Sequence, residues 1–543
     1  MRRAKYLICL LVAPLLIGCG NGGSGGGGKT TSGPTEPDFD HSAEPLDVDN
    51  ISVGDVKKDT LGGEVKVEGG KAYFDFYEVS DFHGAVNFST SDKTIGLSKM
   101  ADYFAKARAN NPGGTIVVSS GDMFQGSAES NLTRGYLVNY GMNVMGFEAM
   151  TLGNHEFDWS VEWIKKNANL KVNNYSIPFL GANVFDKSTG KLLDGIQAST
   201  VITRGEYKIG VVGTLGDGAE KSIMTSLIEG LEFKQEYPIV SAEAQRLKNE
   251  EHCDIVIWTS HRDAEELMSS TGVQKSDGID AVFGGHSHAN NALISGDGIP
   301  FLQTKNYGKG IAHAQLALNL TTRDVTCSTY EVDDKPYQKD GLEDHAEVNR
   351  IMSIYNEKLD PIKNEVIGST DEELDISMDF ALTNLCVETM AMAANKWGEK
   401  NNNIKVVASF HNANGGVRST IEEGDIKFGD VYRSFPFDNE VVLVEMTGAT
   451  LKGILLKADQ HGFYRDVEVL SSKEAIKDDQ KYYITTTDFM ATSPNFDFRL
   501  EEDDLVRTGY VVRDVVASRI KFIKNIKKEN FTRYDNEKFR LPE

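Results

Sequence analysis

From Ala72 to about residue 300 the chain alternates short apolar runs with amphipathic stretches. The runs AYFDFYEV (Ala72–Val79), TIVVS (Thr115–Ser119), AMTL (Ala149–Leu152), DIVIWTS (Asp254–Ser260) and IDAVFGG (Ile279–Gly285) are short, and rich in β-branched or aromatic residues. That combination predicts buried strands. Helical spacing falls between them, at Ile95–Asn110 and around Leu137–Met145. Strands alternating with helices predict a layered α/β fold with parallel strands. VKVEG (Val65–Gly69) suits a short edge strand. Glu343–Lys363, with apolar Val348, Ile351, Ile354 and Leu359, suits a connecting helix. Val512, Val516, Ile520 and Ile523 give an amphipathic helix near the C-terminus.

Each of the five runs leads into a polar side chain able to bind a cation. The first leads to Asp81 and His83, the second to Asp122, the third to Asn154, the fourth to His261 and the last to His286 and His288. KIGVVGT (Lys208–Thr214) ends without one and would serve the sheet. In layered α/β folds ligands collect beyond the carboxyl ends of strands. Strand ends meeting at one edge would therefore gather two carboxylates, one amide and four imidazoles. This set is too large for a tetrahedral zinc and suits two metals sharing a bridging carboxylate. Nitrogen and oxygen donors admit Zn, Mn, Fe, Co or Ni. Taken singly, Asp81 and Asp122 read as helix caps, His83 and His261 as scaffold, and Asn154 as a turn residue. Taken together, one explanation covers all seven. Within GNHEFDW (Gly153–Trp159), His155 adds a proton-donating ring, and Asp158, three residues on, a group to orient it. Asp158 could also cap the helix that follows.

Composition sets limits on partners. At 543 residues the chain exceeds one ordinary core, so two domains are expected. Its formal net charge of −24 argues against nucleic acid or an anionic membrane surface as the main partner. An anionic substrate would need bound cations to offset that charge locally. Arg2, Arg3 and Lys5 precede the apolar run Tyr6–Ile17, as in an export signal. Leu16-Ile17-Gly18-Cys19 resembles the lipobox of bacterial lipoproteins, which implies a signal over 1–19 and lipidation of Cys19. The Gly/Ser-rich stretch over 20–50 would be a flexible tether. The expected location is the bacterial cell envelope, on the periplasmic face or the cell surface, anchored by lipid. Cys253, Cys327 and Cys386 are isolated, and buried free thiols are the simplest expectation, with at most one disulfide.

DFHG, GDMFQGS, the run GMNVMGFEAMTLGNHEFDW, the Ser260-His261 pair and GGHSH resemble, in order, the dimetal motifs of the 5′-nucleotidase family of calcineurin-like metallophosphoesterases. The resemblance implies a four-layer αββα sandwich over 72–335, a helical linker over 336–365 and a second α/β domain for nucleotide specificity over 366–543. It places Asp81, His83 and His288 on one divalent metal and Asn154, His261 and His286 on the other, with Asp122 bridging. It makes His155 the catalytic histidine and Asp158 its partner. In the second domain, HNANGGVRSTIEEGDIKFGDVYRSFPFDNEVVLVEMTGATLKGIL resembles the family's nucleoside-binding block. By position, Arg418 would contact substrate, Phe437 and Phe489 would form the two walls of a base clamp, and Asn439 would contact the base. Where the family has a GGDGY-like loop, this chain has TSPNFDF (Thr492–Phe498).

The expected activity is removal of phosphate from 5′-nucleotides, by attack of a water acidified by two divalent cations. Alternatives sharing the same centre are a 2′,3′-cyclic-nucleotide phosphodiesterase and a UDP-sugar hydrolase. A non-enzymatic nucleotide-binding surface lipoprotein ranks last, because every metal ligand and the His155–Asp158 pair are present.

Overall fold

The strand Lys71–Val79 lies at the centre of the first lobe. It pairs in parallel with Thr115–Ser119, which continues to Ala149–Thr151 and Phe179–Leu180. On its other side it pairs antiparallel with Ile311–Asn319, which carries Val325–Asp333. The two-residue strand Val67–Glu68 adds to the same sheet. A second sheet runs in the order Asn291–Ile294, Pro300–Gln303, Ala281–Phe283, Ile255–His261, Tyr207–Leu215 and Ser199–Arg204, with its four central strands parallel. This computed structural model describes residues 37–39 and 44–542, apart from 377–379, 457–461, 497, 499 and 534–535. The export signal, Cys19 and most of the tether lie outside the described residues.

Alternation along the strands explains the layering. Phe74, Phe76, Ile116 and Val118 from the first sheet share one apolar cluster with Ile209, Val211, Ile255 and Ile257 from the second. The intervening residues point the other way. Val79, Val117 and Met150 pack with Leu97, Met100 and Phe104 of the helix Gly96–Asn110. Val212, Val256 and Trp258 pack with Val240, Ala244 and Leu247 of the helix Glu236–Asn249. The order is helix, sheet, sheet, helix. Strands covered on both faces read as nearly continuous apolar runs. Each fully buried Phe contributes roughly 1.5–3 kcal/mol by leaving water.

One expectation needs correction. The strand ends that carry the polar groups do not share one sheet edge. Asp81, Asp122 and Asn154 follow strands of the first sheet, whereas His261, His286 and His288 follow strands of the second. Stacking the two sheets face to face brings both carboxyl edges to the same place.

The helix Ala346–Lys363 buries Val348, Ile351, Tyr355 and Leu359 and packs on the helix Tyr136–Val144. Beyond it a five-stranded sheet runs Gly462–Arg465, Val406–His411, Lys481–Thr487, Glu440–Thr447 and Val506–Val511, with the helix Ala381–Lys400 packed on it. A small sheet pairs Val366–Thr370 with Gly424–Lys427 and Asn525–Ile526. The C-terminal amphipathic helix spans Val512–Ile523 and buries Val512, Val516 and Ile520. Cys253, Cys327 and Cys386 are all free; Cys253 and Cys386 are buried, while Cys327 is only half-buried. Among the described residues, no helix is long and apolar enough to cross a membrane.

The turn Phe435–Asn439 seats this second lobe on the first. The Pro436 carbonyl accepts hydrogen bonds from Gln125 Nε2 at 3.1 Å and Asn131 Nδ2 at 2.7 Å. Asp438 pairs with Arg134 at 3.0 Å across the seam and with Arg513 at 2.8 Å. Burial works against its charge, but the two guanidiniums outweigh it and hold the carboxyl below its usual range.

Candidate active site

All seven expected ligand residues converge at the paired sheet edges. Asp81, His83 and His288 form one cluster of donor atoms, and Asp122, His261 and His286 a second. Asp81, His83, Asp122, Asn154 and His261 are buried, whereas His286 and His288 are half-buried. His83 Nε2 lies 3.2 Å from His288 Nε2, and His288 Nε2 lies 3.5 Å from an Asp81 carboxylate oxygen. Asn154 Oδ1 lies 2.9 Å from His286 Nδ1 and 3.2 Å from His261 Nε2. His261 Nε2 is also 3.0 Å from Asp122.

The backbone at these positions is unusual. Asp81, His83, Asp122, His286 and His288 have φ of 52°, 49°, 54°, 73° and 59°. This left-handed region is uncommon for residues other than glycine, and clusters of it mark functional sites. Neither Asp81 nor Asp122 is a cap: the helix after Asp81 begins at Gly96 with Ile95 at its N-cap, and the helix after Asp122 begins at Ala128 and is capped by Ser127. Gly153 is required by close approach, since a Cβ there would lie 2.1 Å from Asp122 Oδ1.

The donors suit divalent cations. The far nitrogen of two rings is held by a carbonyl: His83 Nδ1 lies 2.9 Å from the Gln125 oxygen and His261 Nδ1 2.8 Å from the Ser120 oxygen. Both rings therefore turn an Nε2 lone pair inward. The Asn306 Nδ2 lies 2.9 Å from His288 Nδ1 and fixes the orientation of the third ring. Burial pushes His83 well below the ordinary histidine value, His286 down to about 4 and His288 down to about 3. Neutral imidazoles are the form that binds metal. Burial opposes the charge on Asp122 too, but His261 and His155 hold its carboxyl well below the usual range. His261 is the counterpart: burial lowers it, Asp122 outweighs burial, and its pKa rises to about 10. A proton there sits where a cation would otherwise neutralise the carboxylate.

Above this cluster His155 Nδ1 lies 2.8 Å from Asp158 Oδ2. Burial lowers the imidazole pKa, and Asp158 and Asp122 overcome that and raise it. The helix Val161–Ala168 takes Ser160, not Asp158, as its N-cap. The Arg418 Nη2 lies 3.2 Å from His155 Nε2, and the Phe437 ring stacks on the imidazole at 5.5 Å.

A cavity of about 540 Å³ extends from Asp122, Asn154 and His286 past His155 and Arg418 to Phe437, Asn439 and Phe489. The loop that replaces the family's glycines helps to close it. Phe496 meets Phe489 edge-on at 5.7 Å, and Ser493 Oγ and Asn495 Nδ2 donate to the Lys221 carbonyl at 3.1 and 3.2 Å. Asp488 also lines the cavity, and burial pushes its carboxyl up to about 6.

Glu156 had no role in the sequence reading. Its carboxylate accepts the backbone N–H groups of Asp122, Met123 and Gly153 at 2.8, 2.9 and 2.7 Å, tying the second and third ligand loops together. It sits inside the GNHEFDW motif, but only the tertiary contact reveals what it does. Gln125, Asn306 and Phe496 were missed for the same reason.

Residues 74–290 match the family described as calcineurin-like phosphoesterase, and residues 366–471 match the 5′-nucleotidase C-terminal domain. Endonuclease YhcR of Bacillus subtilis is 25% identical over 464 residues, 76% of this chain but only 37% of that longer protein. Protein UshA of Escherichia coli is 26% identical over 487 residues, 78% of this chain and 85% of the relative. Among solved structures, a 5′-nucleotidase precursor from Thermus thermophilus shares the fold with a TM-score of 0.64 at 17% identity, covering 84% of this chain and 97% of its own. With both domains matched in order on a four-layer sandwich, the chain belongs to the calcineurin-like phosphoesterases that carry a 5′-nucleotidase C-terminal domain.

Proposed function

We propose that the protein is an exported, metal-dependent phosphohydrolase that removes phosphate from 5′-nucleotides. The observation that carries this reading is the single cavity joining the ligand cluster and His155 to Phe437, Asn439 and Phe489. One end offers cation chemistry, the other aromatic faces for a base. Asp81, His83 and His288 would hold one divalent cation, Asn154, His261 and His286 the other, with Asp122 between them. The chemistry supplied by two such cations is Lewis acidity toward phosphoryl oxygens and acidification of water.

The chain's own groups do the rest. The Arg418 guanidinium lies 3.2 Å from His155 Nε2, so both groups face the space in front of the ligand cluster. An anionic phosphoryl group entering between them would engage the guanidinium and face an imidazole whose protonated form Asp158 and Asp122 favour. Asp158 stabilises that imidazolium, which donates to the departing 5′-oxygen. The Phe437 and Phe489 rings would stack on the base, at about 1–3 kcal/mol per stacked base.

With Mn or Zn supplied, the protein should release phosphate from 5′-AMP faster than from p-nitrophenyl phosphate. The double variant Phe437→Ala/Phe489→Ala should lose about tenfold or more in kcat/KM on 5′-AMP and little on the aryl phosphate. Equal losses on both substrates would remove the clamp. Export and anchoring rest on the Arg2–Cys19 pattern. Detergent-phase partitioning should be lost in Cys19→Ser, and its persistence would discard the lipid anchor.

A further inference from the structure

The nucleoside end of the cavity is walled by three segments of the second lobe: the approach to the strand Glu440–Thr447, the short helix Asp488–Thr492 and the strand Val506–Val511. Asn439, Glu440, Asp488, Phe489, Gly509 and Val511 line it from these segments. One buried carboxylate joins them. Asp488 is 2% exposed, and its Oδ1 accepts the backbone N–H groups of Glu440 at 3.0 Å and Phe489 at 2.9 Å. Arg507 Nη1 donates to Asp488 Oδ2 at 3.3 Å and to Glu440 Oε2 at 2.5 Å, and its Nη2 donates to Glu502 Oε2 at 2.6 Å. Glu440 Oε1 in turn accepts the Gly509 N–H at 2.5 Å. There the pairing of the two strands shifts register between Glu440 and Val442, and Gly509 takes a left-handed φ of 78°. Helix capping does not explain Asp488, because Thr487 is the N-cap and accepts the Met490 N–H at 3.0 Å. Nor is the site a comfortable one for a carboxylate: burial pushes this carboxyl up to about 6 against the N–H groups and Arg507. A charge taken from water needs partners in its place, and these partners belong to the three segments that wall the cavity.

We propose that Asp488, together with Arg507, is a positioning residue for nucleoside binding: this polar knot sets the spacing of the Phe437 and Phe489 rings, and so the affinity for the base, while the ligand cluster and His155 act on the phosphoryl group independently of it. The proposal rests on the nucleoside reading of the cavity given above and names what holds the two walls at the width of a base. Through the Glu440 N–H the carboxylate fixes the end of the turn that carries Phe437 and Asn439, and through the next N–H along its own chain it fixes Phe489. Stacking weakens when either ring moves off the base face, so a shift at either backbone is felt in binding. The two carboxylate oxygens have separable duties. Asp488→Asn keeps an oxygen for the backbone N–H groups and gives up the charge toward Arg507, whereas Asp488→Ala gives up both. Arg507→Gln leaves the carboxylate on the backbone and removes the guanidinium that draws in the strand Val506–Val511.

The test uses the metal-loaded full chain and follows three quantities: hydrolysis of 5′-AMP, hydrolysis of p-nitrophenyl phosphate, and competitive inhibition of the second reaction by adenosine. In Asp488→Ala the ratio of kcat/KM on 5′-AMP to that on the aryl phosphate should fall about tenfold or more, carried by KM on 5′-AMP, and the inhibition constant of adenosine should rise by a similar factor. Asp488→Asn should recover most of both, to within about threefold of the wild type. Parallel losses on the two substrates, as a merely structural role would give, overturn the proposal. So does an Asp488→Ala protein whose ratio and adenosine inhibition match the wild type, and so does an Asp488→Asn protein as impaired as Asp488→Ala. If Asp488→Ala fails to fold, Arg507→Gln carries the test: adenosine inhibition should weaken about threefold or more, and unchanged inhibition overturns the proposal. A wild type that hydrolyses p-nitrophenyl phosphate but neither hydrolyses 5′-AMP nor responds to adenosine would instead remove the nucleoside reading beneath, and the proposal with it.

Discussion

Replacing His155 by alanine is expected to lower kcat on 5′-AMP by about 10²–10⁴-fold, the usual contribution of a positioned general acid. Metal content should stay at the wild-type level, because the ligand atoms come from other side chains. The ring touches the cavity through Nε2, is held at Nδ1 by Asp158 and stacks on Phe437. It therefore links the two lobes as well as the proton path. KM should rise less than kcat falls, since the lost interaction is made mainly with the departing oxygen. Phosphate release and elemental analysis on the same sample decide the matter, and full turnover with both metals bound would contradict the assignment.

The second large effect concerns Glu156. Its carboxylate accepts three backbone N–H groups in a buried setting. Glu156→Ala leaves those donors unsatisfied, at about 1–3 kcal/mol each. The variant should lose roughly 3 kcal/mol or more of stability and bind metal more weakly, because the loops carrying Asp122 and Asn154 would no longer be fixed to each other. Glu156→Gln keeps one carbonyl oxygen and should fall between the two. Thermal melts of the metal-free proteins separate the structural effect from the metal effect. An alanine variant that melts with the wild type would show that water replaces the carboxylate.

Much of the site was legible because ligand chemistry is local. A strand that ends in Asp, His or Asn advertises its role within a few residues, and several such strands reinforce one another. The layering was legible only through the family resemblance. Apolar runs covered on both faces do not say which sheet they join, so His261 and Asp81 looked like neighbours on one edge when they belong to facing sheets. Supporting contacts were the least legible. Glu156, Gln125 and Asn306 act through backbone groups and rings that are distant in sequence or hidden within a turn. The loop Thr492–Phe498 shows a different limit. Its lost glycines suggested a missing contact, and the structure shows a gained one, with Ser493 and Asn495 fastened to the Lys221 carbonyl and Phe496 against Phe489.

The left-handed backbone at Asp81, His83, Asp122, His286 and His288 has a consequence for metal choice. Such conformations cost about 1–3 kcal/mol each and persist only where surrounding structure over-determines them. The ligand side chains are therefore aimed by the frame and not by the ion they receive. A frame fixed in advance cannot reshape itself around cations of different size. Among zinc, manganese and their neighbours it favours those whose size and donor preference fit, and swapping one ion for another should alter the rate of the reaction more than the shape of the site.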